Sequence, residues 1–169
     1  QRRILSISWM LFAALLIIEV VFGIFFKLNG SYGRIRHYWL DCAAVPSGIN
    51  LLSLIFAVGF IHSPSPTLVQ KNYAAIFLFF IIMSVVSIFH SYYVIVLVLP
   101  GSTIFLAALL SDKKLLLSVF IASLLVSALS LAVWMHREPE YDLSVTVGTS
   151  AVVLIICCMS YYCSRAVMH

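Results

Sequence analysis

Hydrophobic positions along this chain fall in long unbroken blocks, and polar positions collect between the blocks. Between Tyr73 and Lys114 two apolar runs meet at the short break His90-Ser91-Tyr92, and the second ends at Asp112-Lys113-Lys114. A helix that crosses a bilayer needs roughly 20 mostly apolar residues at about 1.5 Å each, and each run is about that long. So short a break predicts an antiparallel helical hairpin. The charged turn that closes it belongs at a membrane surface, because charge enters hydrocarbon only at high cost. The first and last thirds of the chain repeat the pattern. The blocks predict an all-α polytopic membrane protein with six helices, at about 4–26, 38–61, 73–90, 92–110, 115–134 and 143–162. Together they are expected to form one compact bundle, a single transmembrane domain over residues 1–169.

The breaks carry their own chemistry. Two glycines, Gly30 and Gly33, bend the first loop, and His62-Ser63-Pro64-Ser65-Pro66 ends the second helix. Proline removes a backbone donor and biases its predecessor away from helix. Pro46 and Gly48 interrupt the second helix from within. Pro100 precedes Gly101-Ser102-Thr103, a run that lacks the lysine of a phosphate loop and reads as a kink. Composition agrees with the pattern: 63% of residues are hydrophobic, only 9% are charged, and the mean hydropathy is +1.12. A soluble domain carries about 25% charged residues. The formal charge of +4 marks loop orientation in such a chain, and nothing reads as a nucleic-acid module.

An even number of crossings puts both termini on one side. With the termini inside, Arg2, Arg3, Lys71, Lys113, Lys114 and Arg165 face inward, and Lys27, Arg34, Arg36 and Arg137 face outward. The excess of inner basic residues predicts cytoplasmic termini in a plasma (inner) membrane. The first apolar run is too long for a signal peptide and lacks a small-x-small cleavage pattern, so a retained helix is expected. The chain opens Gln1-Arg2-Arg3 and stops at His169 directly after a helix, which suggests one part of a longer protein. In the fifth helix small residues recur at helical spacing: Ser118 with Ala122, Ser123 with Ser127, Ala128 with Ala132. Such residues let backbones approach closely in lipid.

Candidate chemistry is sparse. No nucleophile elbow or His-Glu-x-x-His pair occurs, so no catalytic residue and no cofactor is expected in this chain. Cys157, Cys158 and Cys163 lie on or after the sixth helix and Cys42 stands alone, so no intrachain disulfide is expected. His37 and Asp41 have a four-residue, ligand-compatible spacing for a metal, unsupported by a second pair. Arg34, Arg36 and His37 sit among Tyr32, Tyr38 and Trp39, as an anion-binding lip or as an aromatic belt with basic anchors. Glu19 is the one carboxylate deep in a crossing helix, where it costs about 2.5 kcal/mol or more. Counting inward at about 1.5 Å per residue places Asn50, Ser84, Pro100-Gly101, Ser127 and Thr149 at the same level. This layer is either a ligand pocket in the outer half, with Glu19 as its charged group and His90 near its mouth, or a structural network in which a protonated Glu19 bonds Asn50 or a serine.

The arrangement resembles the six-helix membrane input module found ahead of GGDEF-type diguanylate cyclases, with related modules before class III adenylate cyclases and sensor histidine kinases. The resemblance rests on the arginine-rich start, His37-Tyr38-Trp39-Leu40 leading to Pro46-Ser47-Gly48-Ile49-Asn50, and His90 at the end of helix three. Pro100 in helix four and Ser111-Asp112-Lys113-Lys114-Leu115 complete it. It implies a sensory and dimerising module whose output domain would follow His169. That output would make cyclic di-GMP from GTP, with GTP and magnesium bound only there, and its paired halves imply a homodimer. The competing reading is the solute-binding six-helix subunit of a vitamin transporter. Such subunits carry Ala-x-x-x-Ala in the first helix; here Ala13 and Ala14 lack that partner, and Ala128 with Ala132 lies in helix five. An intramembrane enzyme is a third reading, weakened by the single deep carboxylate.

Overall fold

In a computed structural model, the chain is described over residues 2–29, 38–91, 94–137 and 143–168. Arg34, Arg36 and His37 therefore lie outside the described residues, as do Glu138 and Asp142. Every regular element among the described residues is helical. Helix α1 spans Arg2–Leu28. Helix α2 opens with π-helical turns over Tyr38–Ala44 and continues as α-helix over Val45–His62. Helix α3 spans Leu68–Phe89. Helix α4 opens as a 3-10 turn over Val94–Val98 and continues as α-helix over Leu99–Ala108. Helices α5 and α6 span Lys113–Arg137 and Leu143–Val167. Five of these are long and apolar enough to cross a membrane, and Ile95–Ala108 is apolar but shorter.

Local chemistry sets the ends. Helix α3 begins a turn earlier than the apolar run because Thr67 and Gln70 form a reciprocal cap. The Gln70 N–H donates to Thr67 Oγ1 at 3.3 Å, and the Thr67 N–H donates to Gln70 Oε1 at 2.8 Å, which satisfies two end donors at once. Asp112 caps α5 by accepting the N–H groups of Lys114 and Leu115 at 2.8 and 3.1 Å. A carboxylate there also favours the positive helix end. The preceding residue, Ser111, adopts a positive φ of 52°, which turns the chain sharply between α4 and α5. Both internal prolines sit in the first α-helical turn after a change of helix type. Their missing N–H groups are tolerated there.

The described chain divides into two compact units, residues 1–85 and 86–169, with the boundary inside α3. In the first, Phe12 of α1, Leu54 of α2 and Leu78 and Ile82 of α3 form the core, flanked by Leu5, Leu11, Leu15 and Ala57. The buried positions Ser8, Phe12, Glu19 and Gly23 of α1 recur every three to four residues or a multiple of that, one helical face. At one end of this face Phe26 packs on Tyr38, with ring centroids 5.2 Å apart. The second unit packs α4, α5 and α6 around Leu97, Val153 and Cys157, with Val98, Phe120, Leu124 and Leu131 against them. Phe120 and Tyr161 stack at 4.6 Å.

Many large apolar side chains point outward, among them Ile17, Val21 and Phe25 of α1, Phe56 of α2 and Leu125 of α5. Buried positions hold serines, Asn50, Thr103 and Glu19 as well as hydrocarbon. Exposed large apolar side chains over an interior that includes small hydroxyl residues match helices whose solvent is hydrocarbon.

Candidate functional site

Glu19 is 3% exposed on the buried face of α1. The Ser47 hydroxyl of α2 donates a short hydrogen bond to Glu19 Oε2. The Tyr38 hydroxyl donates to the main-chain carbonyl of Glu19 itself at 3.0 Å. Both donors belong to α2, so the acidic residue is clamped to that helix through side chain and backbone together. Asn50 is 1% exposed, three residues after Ser47, and its Oδ1 has no hydrogen-bond partner among the described residues. Residues three apart on a helix are neighbours, so an unpaired acceptor lies one turn from the Ser47–Glu19 bond.

The local backbone explains why the clamp forms. π-Helical turns are wider than α-helical ones and recur at functional sites. Here they carry Tyr38 and Trp39 toward the end of α1. Gly23, one turn beyond Glu19, lets this happen: a Cβ at that position would run into the Trp39 ring. Pro46 then restarts an α-helix, which puts Ser47 and Asn50 on the stripe that includes the buried Leu54. Leu54 meets Phe12 of α1, so Ser47 with Glu19 and Leu54 with Phe12 are successive contacts of one antiparallel pair.

The remaining members of the expected polar layer and its mouth belong to the second unit, apart from Ser84. Ser84 is buried in α3 and donates to the Phe80 carbonyl in its own helix at 2.7 Å. His90 is a half-buried turn residue whose N–H continues α3 by donating to Val86 at 2.9 Å. Pro100 and Gly101 are buried at the start of the α-helical part of α4. Ser123 and Ser127 of α5 donate to the carbonyls of Pro100 and Leu97 at 2.9 and 3.0 Å. Pro100 has no N–H to offer the Leu97 carbonyl three residues back, and the Ser127 hydroxyl supplies a donor in its place. Ser87 and Ser130 bond each other at 3.0 Å, and Thr149 is buried on α6. The small residues of α5 thus divide. Ser123, Ser127 and Ser130 are buried, whereas Ser118, Ala128 and Ala132 are exposed.

Asp41 is exposed in the π-helical turns. Its proposed metal partner His37 lies outside the described residues, and no group of three His, Cys, Asp or Glu side chains able to hold a metal occurs among the described ones. None of the four cysteines forms a disulfide among the described residues; Cys42 and Cys157 are buried and Cys163 is exposed. Ser47 and Tyr38 are the site residues that the depth count misses. Their link to Glu19 needs the α1–α2 register, although Ser47 lies as far into α2 from Tyr38 as Glu19 lies into α1 from Leu28. No protein-family model, no curated protein and no solved structure matches the chain.

Proposed function

We propose that this chain is a membrane-embedded sensory and dimerising input module of a signalling enzyme, with a diguanylate cyclase as the output and both termini in the cytoplasm of a bacterial inner membrane. The observation that carries the reading is the Glu19–Ser47 pair beside the unpaired Asn50. A carboxylate within a membrane helix is costly and marks a functional or paired site. An unpaired amide oxygen beside it costs about 1–3 kcal/mol, a cost that a ligand with a hydrogen-bond donor would relieve. Ligand binding there would act on the α1–α2 contact, which Tyr38 and Ser47 both hold. Five helices of membrane-crossing length support the location, and the six-against-four distribution of basic residues supports the orientation. Helix α6 remains helical through Ser164-Arg165 to Val167, a form suited to delivering two tails side by side from a homodimer.

Two measurements test the reading. In a background without the native cysteines, single cysteines at Val167 or Met168 should crosslink into dimers in native membranes. Cysteines at Ser65 and Ser111 should resist labelling from outside. A protein that stays monomeric, or a Ser65 site open to outside reagent, would remove the dimerising role or the orientation respectively. Glu19→Gln keeps the shape and hydrogen-bonding capacity but removes the titratable group. Cyclic di-GMP output from the full-length gene product should change in this variant while the amount of folded protein does not.

A further inference from the structure

Helices α2 and α3 leave an open groove between them in the first unit, with a volume of about 690 Å³. Its walls are Phe56 and Phe60 from α2 and Phe77 and Ile81 from α3, and Gly59 and Ala74 make it deep. Ser53 is the only polar side chain lining it. The volume is that of a small-molecule pocket, yet the walls offer almost nothing for a polar solute to bond. The end of the groove formed by Gly59, Phe60 and Ala74 is the one nearest the connection between the two helices. Lys71 lies one helical turn before Ala74 on the same stripe of α3, and its Nζ donates to the Ser63 carbonyl past the end of α2 at 2.6 Å. The ammonium has three protons, so this bond leaves two to offer beside the Ser63 carbonyl, about one helical turn past Phe60 and Ala74 of the groove wall.

We infer that this groove is a binding site for an anionic phospholipid, with an acyl chain between α2 and α3 and the phosphate of the headgroup at Lys71. Charge complementarity chooses this occupant over a second copy of the chain, because an apolar slot with a fixed ammonium beyond its end matches the two ends of such a lipid. The side on which Lys71 is expected to lie is also the leaflet rich in anionic lipid. Lysine binds phosphate as a point charge, so the site selects by headgroup charge rather than by headgroup shape. The inference rests on the membrane reading of the chain and, for the leaflet, on the proposed orientation, but not on the signalling role.

Phe56→Trp places a fluorophore in the wall, in a background where Trp9 and Trp39 are phenylalanine. The probe is quenching by brominated phosphatidylglycerol against brominated phosphatidylcholine in vesicles of matched composition. A single basic group near a membrane surface is worth about 1 kcal/mol, on the order of fivefold in affinity. The expected result is about that preference for phosphatidylglycerol, lost in Lys71→Gln. Gly59→Leu should lower quenching by both lipids, because Gly59 lines the groove and a Cβ there meets nothing within 4 Å. Equal quenching by the two lipids with Lys71 intact overturns the headgroup site. Absent quenching, with dimers that dissociate in Gly59→Leu, assigns the groove to a second copy instead. No quenching from any position on the outward-facing α1 would break the membrane reading itself.

Discussion

The two units use buried polar residues in opposite ways. In the second, serine hydroxyls of α5 go to carbonyls of α4 next to Pro100 or to another serine across helices. Each of these donors closes a local need of the backbone or of its neighbour. In the first, a serine hydroxyl goes to a carboxylate, and the amide one turn away keeps an unpaired oxygen. A polar residue in an apolar helix therefore carries no single meaning. What separates the units is the buried carboxylate, Glu19, which the first unit holds beside an unpaired acceptor. The second unit is not free of imbalance, since Thr103 Oγ1 and Ser164 Oγ are also buried without partners. Among the described residues the second unit holds no buried carboxylate.

The largest effect should come from filling the close approach of α4 to α6 at Gly101. A Cβ on Gly101 would stand 3.3 Å from Cys157 Sγ, so Gly101→Leu forces a whole side chain against α6. Overpacking of this kind costs about 1–3 kcal/mol or more. The loss should appear as a lower unfolding midpoint in detergent. Gly148→Ala, where a Cβ meets nothing within 4 Å, should leave the midpoint unchanged or slightly higher. Equal losses in both would mean that the contact between α4 and α6 is not what holds the second unit.

Asn50→Leu tests the first unit with the opposite sign. Replacing an unpaired buried acceptor by an apolar group of similar size removes a desolvation penalty of about 1–3 kcal/mol. The variant should unfold later than the parent while output in the full-length protein falls. A destabilised variant would show that Asn50 is part of a satisfied network and that the contrast between the units is false. Ser127→Ala should do the converse. Removing an interhelical hydrogen bond in a membrane protein costs about 0.6 kcal/mol on average, and this one should lower stability by that order with signalling unaltered.

Helix content was legible in the sequence because it follows from the length of apolar runs, and helix is found at all six blocks. The helix ends were less so. Thr67 and Gln70 extend α3 by a turn through a side-chain cap, which hydropathy does not register. The π-helical turns over Tyr38–Ala44 and the 3-10 turn over Val94–Val98 were hidden for a related reason. Both precede a proline, but the proline says only that the backbone must change, not how. Glu19 stood out because a deep carboxylate is rare. Its partner Ser47 did not, because serines are common in such helices and only the α1–α2 register distinguishes this one.

The smallest expected effect concerns that register. Trp39 lies over Gly23, and the same π-helical turns hold Tyr38, whose hydroxyl bonds the Glu19 carbonyl. Gly23→Ala puts a methyl group where the indole ring stands. Trp39 is 39% exposed, so the ring can swing outward, and the cost of the clash is limited. Alanine also favours helix over glycine by about 1 kcal/mol, which offsets part of the remainder, so the unfolding midpoint should barely move. The displacement should instead be read from the ring itself. In a background with Trp9 replaced by phenylalanine, emission should change in Gly23→Ala, with buried Trp134 as a constant contribution. If Tyr38 moves with its neighbour, the clamp on Glu19 loosens, and the variant should shift output in the same direction as Tyr38→Phe. An emission change without any effect on output would confine the clamp to the Ser47 bond. Unchanged emission would mean that the indole does not cover Gly23, and the α1–α2 register drawn from that contact would have to be revised.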